Sequence, residues 1–182
     1  MQISINDQNY DLSHLAPFTR TMDLDLRGGL VKKGARLSFR FSQHCYSRGP
    51  SVGEAIPAGR RIPEGPADNP RDRIFCEQRY EYSLQLVKHI DALIQNNGLV
   101  QRSRHLNFFA TTLVLADESG ESVSVPYYIF LKAKKKQDPN QPARLDIFVE
   151  SAYTDDPNIP GPFGKGAPIR LSVLLGQIWA AG

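Results

Sequence analysis

The hydrophobic and polar positions of residues 36–41 alternate without a break. Leu37, Phe39 and Phe41 fall on one side, and Arg36, Ser38 and Arg40 on the other. A period of two marks a strand with one buried face. Continued to Ser47, that period puts His44 and Tyr46 with the arginines and Cys45 with the phenylalanines. Residues 21–26 alternate as well, with Met22, Leu24 and Leu26 on one face. A glycine-containing link joins the two runs, so they are expected to pair as an antiparallel hairpin. Residues 2–5 make a short edge strand. Over residues 49–72 the pattern disappears: five prolines and four glycines occupy these 24 positions. A loop of that length without structure is usually functional or mobile.

The period becomes helical at Glu77. Tyr80, Leu84, Val87, Ile90 and Ile94 line one side of a helix over residues 77–97, with Glu81, Gln85, Lys88 and Gln95 opposite. Asn97-Gly98 supplies the stop. Asp91 falls inside the apolar arc, which leaves it either reaching water at the boundary or buried with a partner. Four strands follow, over residues 106–116, 122–133, 144–153 and 169–175. On the third, Leu145, Ile147, Val149 and Ser151 share a face. Residues 176–179 continue as strand or helical turn, with Trp179 anchoring the last element. The expected fold is α+β: a mainly antiparallel β-sheet with one long α-helix, about 77–97, packed on one face. One domain accommodates the 182 residues. It comprises N-terminal strands in 1–48, an irregular loop in 49–72, and a helix plus four-stranded sheet in 73–182.

Charge changes the picture more than composition does. At 41% hydrophobic, a chain of this length can bury a core without disulfides or a metal. The net charge of +3 is too small by itself to imply a nucleic-acid partner. Between Arg27 and Arg73, however, ten Lys and Arg residues face four acids. An anionic partner fits that bias. The N-terminus carries no basic-then-apolar leader, and no apolar run approaches the ~20 residues of a membrane span. These features predict a cytoplasmic protein, off the membrane, with Cys45 and Cys76 reduced.

The strand end His44-Cys45-Tyr46-Ser47 gathers an imidazole, a thiol, a phenol and a hydroxyl. Neighbours on a strand point to opposite faces, so His44 and Cys45 cannot form a dyad with each other. Cys45 reads as a small core hydrophobe. No CxxC or HxxxH spacing exists, so no metal is expected. No cofactor is implied either: Gly161-Pro-Phe-Gly-Lys-Gly lacks the strand-to-helix setting of a phosphate loop. His14 is expected in an exposed turn and His89 at the helix boundary.

The C-terminal half runs helix, then four strands, the third ending Phe148-Val149-Glu150-Ser151-Ala152-Tyr153. Over residues 77–182 this order resembles the barnase/EndoU/colicin/RelE-like group of small bacterial and phage ribonucleases. The resemblance implies a metal-independent endoribonuclease of phage or toxin type. His44, Tyr46, His105, Ser151 and Tyr153 would then be catalytic, with Arg40, Arg48, Arg102, Arg104 and Lys132 holding substrate. A base, His44 or His105, would take the proton of the RNA 2′-hydroxyl as it attacks the adjacent phosphate. An acid would protonate the leaving oxygen, and arginine or lysine would stabilise the developing charge. The alternative keeps the same surface without catalysis: a protein- or nucleic-acid-binding module in a bacterial assembly, docking through the 49–72 loop or the basic face. A thiol-dependent enzyme would require an accessible Cys45.

Overall fold

The computed structural model describes residues 1–66, 68–103, 107–118, 121–154 and 164–182. Its strands in chain order are β1 (Gln2–Ile5), β2 (Gln8–Asp11), β3 (Phe18–Asp25), β4 (Val31–Phe41), β5 (Ser47–Arg48), β6 (Arg61–Ile62), β7 (Arg73–Phe75), β8 (Leu99–Ser103), β9 (Phe108–Glu118), β10 (Glu121–Lys136), β11 (Arg144–Thr154) and β12 (Gly164–Arg170). The helices are α1 (Glu77–Ser83), α2 (Leu86–Gln95) and α3 (Leu171–Ala181). The fold is α+β. Its main sheet runs β12-β8-β9-β10-β11-β4-β3, antiparallel throughout except for the parallel pair β11 and β4. That one pair makes the sheet mixed.

The expected hairpin forms, with β3 paired antiparallel to β4 across Phe18–Phe39 and Thr21–Arg36. The strand stops at Phe41, however, short of Ser47. Residues 43–45 turn into a 3-10 helix, begun by Ser42, whose Oγ accepts the His44 backbone N–H at 3.0 Å. A serine cap of this kind offers the backbone a partner outside the ladder. The part of the loop nearest Arg73 also has structure, because Arg61–Ile62 and Ser47–Arg48 flank β7 in a small three-stranded sheet.

The expected single long helix is two. Leu84 and Gln85 separate α1 from α2 and make i→i+3 bonds to Glu81 and Tyr82. The side chains actually buried are Tyr82, Leu86 and Ile90, while Leu84 is 47% exposed. Each helix meets its own neighbours, α1 at the end of β11 and the 43–48 turn, α2 over the main core. A straight helix could not satisfy both. Asp91 is half-exposed and takes both Arg20 nitrogens, at 2.8 and 2.9 Å, tying α2 to β3. The expected last strand also gives way: the chain turns helical at Leu171, where Leu171, Leu174 and Leu175 bury at helical spacing. Asn97 starts this helix by accepting the Ser172 N–H at 2.9 Å. Trp179 sits half-buried between Lys32 and Lys135, whose ammoniums lie 5.6 and 5.3 Å from its ring centre.

The core lies on one face of the main sheet. Leu37, Phe39, Ile129, Leu131, Leu145, Ile147 and Val149 meet Tyr82, Leu86, Ile90, Leu171, Leu174 and Leu175 there. The opposite, outer face carries the alternate residues. Register stacks them in rows across β4, β11 and β10: Arg40–Phe148–Lys132, then Ser38–Asp146–Lys134, then Arg36–Arg144–Lys136.

Candidate functional site

His44 sits in the turn after β4, and its environment is a network of fixed charges. Its Nε2–H donates to Glu64 Oε1 at 2.6 Å, and Arg73 lies 3.7 Å from the other Glu64 oxygen. Burial pushes the Glu64 carboxyl up, but hydrogen bonds and charge from His44, with smaller help from Gln43 and Arg73, hold it below the ordinary value. Arg73 also donates to Ser47 Oγ at 2.8 Å and to the Ser47 carbonyl at 3.1 Å. Arg79, 8% exposed, donates to the His44 and Ser47 carbonyls at 3.3 and 3.0 Å. Its guanidinium also covers the Tyr153 ring at 5.0 Å. Arg79 thus links the His44 backbone to the Tyr153 ring, while the His44 imidazole is turned to Glu64.

The other expected catalytic residues do not join them. Tyr46 packs toward Phe75, ring centres 6.4 Å apart, between the main core and a smaller buried cluster of Ile5, Ile62 and Phe75. The 3-10 turn, which breaks the alternation after Phe41, is the reason. Cys45 is fully buried, and burial pushes its thiol up to about 12. That is the environment of a core residue, not of a nucleophile. His105 and Arg104 lie outside the described residues. Arg48 is held by both Glu54 oxygens, at 2.6 and 2.5 Å, and secures the 49–72 loop. His14 is half-buried rather than exposed, its Nε2 2.7 Å from Ser83 Oγ. His89 contacts Thr112 Oγ1 through Nδ1, at 3.2 Å, while its Nε2 is buried without a partner among the described residues.

Ser151 lies on the face opposite the one its sequence parity predicts. The β10–β11 register shifts between Phe130 and Leu131, where Phe130 pairs with Ser151 but Leu131 with Val149. Glu150 is the extra residue of this bulge, so alternation slips by one. Ala152 enters the core, fully buried, and Ser151 and Tyr153 turn outward with Glu150. Tyr153 stacks on Phe130 at 5.2 Å and meets Tyr128 at 6.3 Å. Glu150 takes Lys132 Nζ and the Asn107 side-chain amide, at 2.5 and 2.7 Å. Burial raises its carboxyl, and those two hydrogen bonds outweigh the effect, assisted by the charges of Lys132 and His44, so the group is held down. His44 is thus close enough to Glu150 for its charge to be felt.

Beside this network lies a groove of about 530 Å³, lined by Arg40, Arg102, Asn107, Lys132, Lys134 and Phe148, with Phe108, Ala133 and Ile178 as its apolar part. Asp146, the one carboxylate there, is bound to Arg144 Nε at 2.9 Å. Among the described residues, Arg40, Arg102 and Lys134 have no carboxylate partner, whereas Lys132 has Glu150. Phe148 is 39% exposed between Arg40 and Lys132.

The chain belongs to the YjaZ family. The model of that family matches residues 2–179, nearly the whole chain. No curated protein and no solved structure matches it. In this YjaZ family protein, six of the sequence-predicted residues fall in two regions of the fold, while Tyr46 and Arg48 lie elsewhere and Arg104 and His105 are outside the described residues. Tyr153 and the His44 backbone both meet Arg79, Ser151 pairs with Phe130 one residue from Glu150, and Arg40, Arg102 and Lys132 line the groove. Lys134, Phe148, Glu64 and Glu150 were not expected at either place. The signal for Lys134 was available: Lys132, Lys134 and Lys136 continue the strand's period of two beyond the apolar residues. No signal pointed to Glu64, which arrives from the middle of a patternless loop.

Proposed function

We propose that this YjaZ family protein is a non-catalytic docking module of a cytoplasmic bacterial assembly, holding an acidic segment of a partner protein against its sheet. The observation that carries the reading is the groove beside β10. Four cationic side chains line it, and its single carboxylate is already neutralised by Arg144. Three of them, Arg40, Arg102 and Lys134, have no carboxylate partner among the described residues, and such cations in a concave site raise the local potential and favour an anionic occupant. The His44 network supports a structural role. Arg73 and Arg79 direct donors at backbone carbonyls, and Arg79 covers the Tyr153 ring, so the groups a phosphate would need are already engaged.

The test is a comparison by fluorescence anisotropy of three labelled probes: a short glutamate-rich peptide, its lysine-rich counterpart and single-stranded RNA. The acidic peptide should bind most tightly and weaken as salt is added. Tighter binding of RNA, or no discrimination between the acidic and basic peptides, would contradict the proposal.

One observation favours ribonuclease action as a second reading. His44 is bonded to Glu64, and its charge adds to the hydrogen bonds from Lys132 and Asn107 that lower the Glu150 carboxyl. Such a set could exchange protons with a 2′-hydroxyl and a leaving oxygen. Cleavage of single-stranded RNA in EDTA, abolished by His44→Ala, would select that reading. The docking reading expects the RNA intact.

A further inference from the structure

On the outer face of the sheet, one aromatic ring stands between two cations. Register puts Phe148 of β11 beside Arg40 of β4 on one side and Lys132 of β10 on the other. Neighbouring strands lie ~4.8 Å apart, so the two cationic positions are ~10 Å apart with the ring between them. All three side chains are exposed, and all three line the groove. Elsewhere the chain covers aromatic rings near its surface with its own cations. Arg20 lies over Phe18 at 4.7 Å, Arg79 over Tyr153 at 5.0 Å, and Lys32 and Lys135 over Trp179. Phe148 has no such cover. Among the described residues, neither flanking cation lies over its ring and no other aromatic packs against it. Lys132 is held by Glu150, and Arg40 has no carboxylate partner among the described residues. A single exposed apolar side chain is ordinary on a protein surface. One left uncovered between two cations is an apolar contact point set in a cationic field.

We infer that Phe148 is the specificity anchor of the docking site. It takes a large apolar side chain that the partner carries among its acidic residues, with acids on both sides of it meeting Arg40 and Lys132. The inference rests on the docking reading and specifies the partner's sequence. Charge alone attracts any acidic segment, and that attraction fades as salt is added. Burying an apolar side chain against the Phe148 ring adds a contact that salt does not screen and that a purely acidic segment cannot make. Order matters as well. An extended chain rises ~3.4 Å per residue, so a segment crossing the row with its apolar residue on Phe148 reaches both cations only with acids within about two residues on each side. The partner segment is therefore an apolar residue flanked by acids, not an acidic tract with an apolar end.

The experiment uses the full chain and four labelled probes. The first is a glutamate-rich peptide with one central Phe. The second has Ser in place of that Phe, the third carries the Phe at its end, and the fourth is single-stranded RNA. In fluorescence anisotropy the central-Phe peptide should bind about tenfold more tightly than the other two peptides, and this ratio should persist as salt weakens all three. Phe148→Ser should bring the central-Phe peptide to the level of the serine peptide, whereas Phe148→Leu should keep the preference. Phe148 is exposed, so circular dichroism should show both variants folded; if Phe148→Ser unfolds, the wild-type ratios decide. Equal affinity of the central-Phe and serine peptides for the wild type would overturn the anchor and leave the docking reading standing. So would an undiminished preference in folded Phe148→Ser, or equal binding of the central and terminal Phe. Failure of every acidic peptide to bind would remove both readings. Tighter binding of the RNA, lost in Phe148→Ser, would overturn the proposal in favour of a base stacked on the ring.

Discussion

Arg79 is the residue on which the interior polar network depends. It is buried, donates to two backbone carbonyls and covers an aromatic ring. Replacing it removes this donor from the His44 carbonyl and leaves the Ser47 carbonyl to Arg73, so Arg79→Met should cost about 2 kcal/mol, read from the urea midpoint. A loss under about 1 kcal/mol would show that water replaces it freely. Cys45 makes a second prediction. Full burial and a thiol pushed up to about 12 keep it protonated at neutral pH. Iodoacetamide should therefore modify only Cys76, which is half-exposed, until the protein is unfolded. Rapid alkylation of native Cys45, mapped by mass spectrometry, would reopen a thiol mechanism. The alternation that begins at Leu37 predicted its burial, although the 3-10 turn after Phe41 is what carries it into the core. The orientation of Tyr46 was not legible, because a turn capped by Ser42 intervenes.

At the scale of elements, the 49–72 loop is held by named ion pairs. Glu54 binds Arg48, Glu64 binds His44 and approaches Arg73, Arg60 meets Glu77 at 2.6 Å, and Arg61 meets Asp72 at 3.3 Å. The hydrogen bond from Arg48, then the Ser51 N–H, brings the Glu54 carboxyl down to about 2, and Glu64 is lowered too. A carboxyl depressed in the folded state stabilises above its unfolded value, and that contribution disappears as pH falls through the folded value. Amide exchange in the loop, corrected for intrinsic rates, should therefore quicken between about pH 4.5 and about pH 2. Glu64→Gln should loosen the His44 end of the loop at neutral pH. An exchange profile that ignores this window would mean that these pairs do not hold the loop. The sequence marked the loop but not its ties, since ion pairs between distant positions leave no local pattern. The break between α1 and α2 was likewise hidden: Tyr80, Leu84, Val87, Ile90 and Ile94 describe one helix face, while docking selected Tyr82, Leu86 and Ile90. Ser151 changed sides because one added residue in β11 reverses the parity beyond it.

At the scale of the whole molecule, strand periodicity revealed the α+β class and the β3–β4 hairpin. The parallel contact of β4 with β11 was not readable, because it joins segments about a hundred residues apart and depends on the whole sheet closing. That contact assembles the site. It places Arg40 beside Phe148 and Phe148 beside Lys132, so a basic N-terminal strand and a lysine-rich C-terminal one form a common outer face. Basic bias over residues 27–73 was visible in the sequence, but the groove draws only Arg40 from that segment. Arg102, Lys132 and Lys134 come from later strands.

The central claim is that these cations select an acidic occupant. The most direct test is the affinity of the glutamate-rich peptide for wild type and for the double variant Arg40→Glu, Lys134→Glu, whose two positions have no carboxylate partner to disturb among the described residues. Circular dichroism should confirm an unchanged fold. Binding of the acidic peptide should fall about tenfold or more, and the lysine-rich peptide should gain affinity in the variant. Unchanged affinity for the acidic peptide in a folded variant would contradict the account.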